Sequence, residues 1–374
     1  MVAPLEFVAI HLGASNGYPR DGSCMEKLAG NICKQVMSNQ AMRHTDSYMK
    51  ARDGVVELLK ALEDHNRLNC GLGSNLNFRG EVECDASLMC NDDMIWTGVG
   101  AVQGCKNPIV LAKSLYDQSK ISRPLNLVQP NLLVAGGAKE WMRQYCPSIC
   151  LADSKLITAK ALDSYQKYKS MYDSELRCRA FNSKETVLSG ETPMDTVGAI
   201  AIDHRGNIAT ALSSGGIILK HKGRLGQAAV PGAGCWAVDD VAANSTGVGE
   251  YLTFSMLARE VCETLQKSHA ETRNQTQFAN HCDSTTQSLT KCFERLVEAP
   301  YLAHVPRHEK YVGFMSVHRT AGHGDVPRHI YLSYGHNTNS LCLGYMSSDD
   351  EEAHFIESRF DRGDEIAQVN TIKI

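Results

Sequence analysis

Apolar and polar residues fall into blocks whose period changes along the chain. The opening, VAPLEFVAIHLGAS, predicts a buried strand running into a turn at Gly13, because Phe7, Val8 and Ile10 favour extended backbone and a glycine follows. Two amphipathic helices come next. Leu28, Ile32 and Val36 recur every fourth residue, and Val55, Leu58, Leu59 and Leu62 follow the i, i+3, i+4, i+7 spacing of one buried helical face. From Cys70 to Val102 short apolar pieces alternate with Gly, Asn and Asp turns, which predicts a meander of strands. A helix is predicted over 107–117, opened at Asn107 with Pro108 in its first turn.

From about Asp153 to Asp195 the text becomes polar and rich in Lys and Ser, and ends in SGETPMD; it predicts a helix fading into a polar linker, about 155–195. Thr196 then opens TVGAIAID, which is apolar at nearly every position and so suits a strand buried on both faces. It is joined through HRGN to a second strand, IATALS. Glycines at 216, 223, 226, 232 and 234 carry the chain to a helix predicted from Glu250, with Leu252, Met256, Leu257, Val261 and Leu265 inward. Three late strands are expected near Tyr311 to His318, His329 to Tyr334 and Leu341 to Ser347. Strands, helices, strands, helices and strands in that order predict helical layers around stacked sheets, since every element must bury one apolar face.

Composition narrows the function classes. With 43% hydrophobic and 21% charged residues over 374 positions the chain can bury a large core, which excludes disorder as its main state. A net charge of -4 gives no general attraction to polyanions, so direct nucleic-acid binding is not expected. No run approaches the roughly 18 apolar residues of a membrane span, and Phe7 to Leu12 lacks the flanks of a secretion signal. An intracellular protein with reduced thiols is expected. None of the 14 cysteines has the paired spacing of a structural zinc site, and Cys146 and Cys150, around Pro147, read as ordinary buried thiols. The glycosylation triplets at Asn244 and Asn274 then mean little. Gly98, Gly100 and Gly104 miss the dinucleotide fingerprint by one position, and Gly71 to Asn75 lacks the Lys and Ser/Thr pair of a phosphate loop. His11, His204, His221 and His304 are dispersed, with no pair four apart, and read as structural.

The junction at Asp195 and Thr196 is the strongest chemical signal. If that bond is cut, the new terminus is a threonine held in a sheet, whose α-amine lies within reach of its own hydroxyl. An unperturbed α-amine has a pKa of about 7.7 to 8.0, which suits it to accept that hydroxyl's proton near neutral pH. The text MDTVGAIAIDHRGNIATALSSGGIILKHKGRLGQAAVPGAGCWA resembles the catalytic segment of the threonine aspartase (taspase) branch of the plant-type asparaginase family of N-terminal nucleophile hydrolases. EDHNRLNCGLGSNLNFRGEVECDASLM, STGVGE and HNTNSLCLGYMSSDD agree with the same branch.

The resemblance implies an α+β fold, a four-layer αββα sandwich, formed as one domain from an α chain (1–195) and a β chain (196–374). It implies Thr196 as the nucleophile, Asp195 as the residue before autocleavage, and Ser214 as the hydroxyl that tunes the nucleophile. Arg224 becomes the grip on a substrate's side-chain carboxylate, for which a planar, permanently charged guanidinium is suited. Thr246 and Gly247 become the oxyanion hole, and Gly249 part of the substrate site. No metal, nucleotide or organic cofactor is required. Asparaginases and isoaspartyl peptidases carry GDSP after the arginine, the Asp balancing a free α-ammonium, whereas here the position is Gln227, followed by Ala228. That departure favours an endopeptidase cutting proteins after aspartate, with nuclear transcription regulators as the implied substrates, paired αβ units forming a heterotetramer, and residence in nucleus or cytoplasm.

Other readings stay open at this point. An asparaginase-type amidohydrolase shares the machinery, an uncut chain would be an interaction protein, and a dinucleotide oxidoreductase is the most remote. Ser15 stands where relatives tend to have Gly, and Lys155, Lys160, Lys167, Lys169, Arg177, Arg179 and Lys184 are too scattered for a dense nuclear address. Lys220 and Lys222 read as surface charge beside Arg224.

Overall fold

The computed structural model describes residues 5–15, 22–38, 49–180, 196–272, 281–306, 309–320, 329–360 and 367–374. The first half runs through strand β1 (Phe7–Ser15), helices α1 (Gly22–Met37) and α2 (Ala51–Glu63), strands β2 (Cys84–Cys90) and β3 (Trp96–Val102), helix α3 (Pro108–Ser119), strand β4 (Leu132–Val134), and helices α4 (Ala135–Tyr145) and α5 (Ala159–Ala180). Strands β5 (Val197–Ile202), β6 (Ile208–Ser214), β7 (Cys235–Val238) and β8 (Val241–Gly247) follow. Helices α6 (Gly249–Ser255), α7 (Leu257–Thr272) and α8 (His281–Val297) lead to the last strands: β9 (Val312–Thr320), β10 (His329–His336), β11 (Ser340–Ser347), β12 (His354–Arg359) and β13 (Gln368–Lys373).

Among the described residues eight strands pair in the order β12-β11-β1-β5-β6-β2-β3-β4 and five in the order β13-β10-β9-β8-β7. Side-chain alternation makes each sheet two-faced. On β1 and β5, Val8, Ile10, Val197, Ala199 and Ala201 join the core under α1, α2 and α3, whereas Phe7, Ala9, Ile200 and Ile202 join Met315, Val317 and Leu332 of the other sheet. A third core packs α7 and α8 onto β8 and β9 through Leu257, Val261, Leu265, Phe293 and Phe314. Three apolar layers separate four layers of structure, the αββα sandwich that the resemblance implied. The strand after Thr196 is apolar throughout because it lies between two of those layers.

The sheets pack tightly at Gly198. A Cβ there would stand 2.2 Å from His11 Nε2 and 2.9 Å from Asn244 Cγ, so only glycine lets β5 pass between β1 and β8.

Several expectations need correction. The strand from Phe7 does not turn at Gly13; β1 continues to Ser15 with a register shift between His11 and Ala14. The Cys70 to Val102 stretch is not strand throughout, since Gly71–Gly73 forms a 3-10 turn and regular pairing begins at Cys84. The helix from Gly249 is broken at Met256, a left-handed residue (φ 50°) that is only half-buried; α7 restarts beyond it with Arg259 N–H bonded to the Gly232 carbonyl. β12 and β13 went unread because edge strands carry polar residues on their open side and show weak alternation. The polar stretch is more helical than expected, α5 reaching Ala180, and the remainder of the linker, with Lys184, lies outside the described residues. Cys146 and Cys150 are half-buried thiols, and no disulfide occurs among the described residues.

Glu63, at the end of α2, is fully buried beneath β6, where Ser213 Oγ (2.6 Å) and Ile109 N–H (3.0 Å) donate to its Oε1. Burial outweighs those bonds and raises its pKa to about 8. Between the ordinary carboxylate range and pH 8 the folded chain therefore keeps a proton that the unfolded chain has lost. Stability falls as pH rises through that window. Buried His11, lowered to about 3, and His336, lowered to about 4, act oppositely and remove stability as pH falls below about 6.5. Between pH 5.5 and 8.0 the gain from the two histidines opposes the Glu63 loss in the wild type, whereas Glu63→Gln keeps a neutral acceptor and only the gain. Urea melts should show stability rising with pH more steeply in the variant than in the wild type, and equal changes would refute the assignment.

Candidate active site

Thr196 immediately precedes β5 and is almost wholly buried. Pairing of Val197 with Ser213 brings Ser214, the last residue of β6, beside it. The Thr196 hydroxyl donates to Ser214 Oγ at 3.2 Å, and that oxygen also accepts the Gly216 N–H at 3.0 Å. Gln227, buried in a single 3-10 turn (Gln227–Ala229), donates from Nε2 to Thr196 Oγ1 at 3.0 Å. A donated bond to this oxygen stabilises any negative charge it acquires. The hydroxyl has one donor behind it and one acceptor ahead.

The opposite sheet completes the site. Thr246, near the end of β8, donates from Oγ1 to the Thr196 carbonyl at 3.4 Å and accepts the Ala14 N–H at 3.0 Å, so it touches both β1 and the start of β5. Gly247 follows with φ +130°, and a Cβ there would lie 2.4 Å from the Tyr311 carbonyl oxygen. Glycine is required at that turn.

Charge gathers on one side of Thr196. Arg224 lies in a slot lined by glycines: a Cβ at Gly216 or Gly226 would stand 3.1 or 3.0 Å from its Nη1, and one at Gly249 2.7 Å from its Nη2. Its Nε and Nη2 donate to Glu250 at 2.8 and 2.6 Å, a bidentate pair. Behind the slot Asp85 is fully buried and accepts the Ala101 and Gly226 N–H groups, both at 2.8 Å. Burial raises its pKa, opposed by Lys220, the two N–H donors and Arg224. Lys220 is not surface charge: it is 2% exposed and donates to the Glu83 carbonyl at 2.6 Å. Lys222, in contrast, pairs with Glu81 at the surface.

The family model described as Asparaginase matches residues 6–290. This chain belongs to the plant-type asparaginase family of N-terminal nucleophile hydrolases. It is 34% identical over 210 residues to the isoaspartyl peptidase/L-asparaginase of Homo sapiens, covering 56% of this chain and 61% of that relative. It is 33% identical over 217 residues to the plant-type L-asparaginase of Pyrobaculum calidifontis, covering 57% and 66%. The Bos taurus isoaspartyl peptidase/L-asparaginase is 30% identical over 256 residues, covering 67% and 74%. The match thus spans about three fifths of the human relative's length.

In this asparaginase-family chain the fold gathers Thr196, Ser214, Arg224, Thr246, Gly247 and Gly249 from separate segments; Asp195 lies outside the described residues. Sequence reasoning missed the contact of Gln227 with Thr196, the pair Arg224–Glu250, and the supports beneath them. Asn69 is one such support: its Nδ2 donates to the Gly216 carbonyl and its own carbonyl accepts Gly215 N–H, both at 2.8 Å, which pins the SSGG turn after Ser214. The cluster of asparagines and glycines between Asn69 and Asn75 was its only signal.

Among the described residues no group of three or more His, Cys, Asp or Glu side chains could hold a metal ion, and no helix is long and apolar enough to cross a membrane.

Gly249→Ala tests the slot. The new Cβ would meet Arg224 Nη2 at 2.7 Å and Gln227 Oε1 at 2.9 Å, displacing both. Displacements of this size typically cost about 100-fold in turnover, so kcat/KM on the preferred substrate should fall by about that factor, while circular dichroism melts shift little.

Proposed function

We propose that this chain is a threonine endopeptidase that cuts itself between Asp195 and Thr196 and then cuts polypeptides after aspartate. The observation that carries the reading is Gln227. Where asparaginases of this family have an Asp to balance a substrate's free α-ammonium, this chain places a neutral amide, buried and bonded to the hydroxyl of Thr196 at 3.0 Å. A site lacking that anion suits an aspartate inside a polypeptide, which has no α-ammonium.

In maturation Thr196 Oγ1 attacks the Asp195 carbonyl carbon, the Asp195–Thr196 C–N bond breaks as the ester forms and the hydroxyl proton passes to the departing nitrogen, which becomes the free Thr196 amine; water then hydrolyses the ester to release the Asp195 carboxylate and the Thr196 hydroxyl. The two products remain interleaved, because β1, from residues before the cut, lies between β11 and β5, from residues after it. With the proposed cut, that topology supports an αβ heterodimer, and we extend the proposal to pairing of heterodimers.

In the substrate reaction the Thr196 amine takes the hydroxyl proton and the oxygen attacks the carbonyl of an aspartate whose side chain is gripped by Arg224. Thr246 and Gly247 donate to the oxyanion. Losing one such donor typically raises the barrier by about 3 kcal/mol. The protonated amine then gives its proton to the departing nitrogen, and water releases the acyl group. Ser214 accepts from the hydroxyl and holds its orientation. Proteins with accessible aspartates are the proposed substrates, transcription regulators being the class implied by the taspase resemblance.

A second reading, hydrolysis of β-aspartyl dipeptides or asparagine, is favoured by the isoaspartyl peptidase/L-asparaginases that this chain resembles. The two readings share Thr196 and part at Gln227. The mature protein offered an aspartate-containing polypeptide and a β-aspartyl dipeptide should cut the former at least tenfold faster; the reverse ranking establishes the second reading.

Thr196→Ala should remain one uncut chain on a denaturing gel, without hydrolysis of either substrate. Gln227→Asp should lower polypeptide cleavage at least tenfold and raise β-aspartyl dipeptide hydrolysis, measured as the ratio of the two kcat/KM values.

A further inference from the structure

Arg224 already holds a carboxylate. The Nε and Nη2 edge of its guanidinium, the edge best shaped for a bidentate anion, is covered by both oxygens of Glu250 at 2.8 and 2.6 Å. The Arg224 side chain is 13% exposed and that of Glu250 47% exposed, so the arginine is built in and the glutamate faces solvent. Glu250 rides in the first turn of α6, a seven-residue helix ended by left-handed Met256.

The guanidinium does not depend on Glu250 for its place. Its Nη atoms fit where Cβ atoms would otherwise stand at Gly216, Gly226 and Gly249, with Asp85 buried behind Gly226. The Arg224 N–H is bonded to the His221 carbonyl at 3.0 Å, and the Gly223 N–H to Glu83 Oε2 at 3.1 Å, which fixes the loop backbone. Removing Glu250 leaves the slot walls standing and exposes the donor edge.

From this geometry we propose that Glu250 is a specificity-determining residue, an internal carboxylate that occupies Arg224 until a substrate aspartate displaces it. The proposal rests on the reading of Arg224 as the substrate's carboxylate grip. A ligand offering only a carboxylate merely exchanges one anion for another and gains little. A polypeptide that places its aspartate carbonyl at Thr196 adds contacts that Glu250 cannot make and wins the exchange. The occupied fraction lowers apparent affinity by the population of the free clamp, and an ion pair this exposed is worth at most about fivefold in that population.

Succinate, which has the four-carbon skeleton of aspartate without its amine and no amide to cleave, probes the clamp without turnover. Calorimetric titration of the purified, matured protein should show succinate binding up to about fivefold tighter in Glu250→Gln and in Glu250→Ala than in the wild type, and lost in Arg224→Ala. KM for the aspartate-containing polypeptide should fall by a similar factor in Glu250→Gln with kcat unchanged. Weaker or unchanged succinate binding in both Glu250 variants, or a raised KM in Glu250→Gln, would overturn the proposal and make Glu250 a strut for Arg224. If the wild type cuts no polypeptide yet binds succinate through Arg224, the endopeptidase reading fails while the competition is still measured.

Discussion

The close approach of two sheets at the start of β5 governs what can be built around it. Gly198 leaves no room for a side chain between His11 and Asn244, and that close contact lies two residues from Thr196, at the start of an interior strand that faces the other sheet. One sheet supplies Ser214 through its register with β5, and the other supplies Thr246, whose hydroxyl reaches the Thr196 carbonyl. A residue between two rigid layers needs no loop to aim it, and rigid placement is what a preorganised site requires.

The electrostatics follow from the same burial. Asp85 and Lys220 lie beneath the Arg224 loop, out of water, where each is met by backbone groups. Buried charge is tolerated only when paired or hydrogen-bonded, so these groups lock the loop to β2 and to the segment before it. Arg224 is thereby a fixed cation in a glycine slot, while its partner Glu250 stays half in solvent. Fixed charge below and a solvent-facing partner above suit the anion site proposed here.

Gln227 is the residue at which the endopeptidase reading proposed above parts from an asparaginase one. An amide at the nucleophile brings a donor without a charge. A carboxylate there would attract an ammonium and, being acceptor-only when ionised, could not donate to Thr196 Oγ1. In the proposed reading this one residue bears on both the substrate's charge and the hydrogen bond at the reacting oxygen.

Periodicity in the chain determined its elements and layers. Leu58, Leu59 and Leu62 marked one face of α2, and the unbroken apolar run after Thr196 marked a strand covered on both sides, since water is excluded from faces that carry no polar groups. The motif text also fixed Thr196, Ser214, Arg224, Thr246 and Gly247 as candidates. Edge strands β12 and β13 and the break at Met256 stayed hidden, because edges tolerate polar residues and a left-handed residue other than glycine leaves no compositional trace. Only the tertiary structure decided that Lys220 is buried, that Glu250 lies on Arg224 and that Gln227 reaches Thr196. Those facts depend on distances between segments far apart in the chain, and local patterning records how a segment is buried without naming what it will meet.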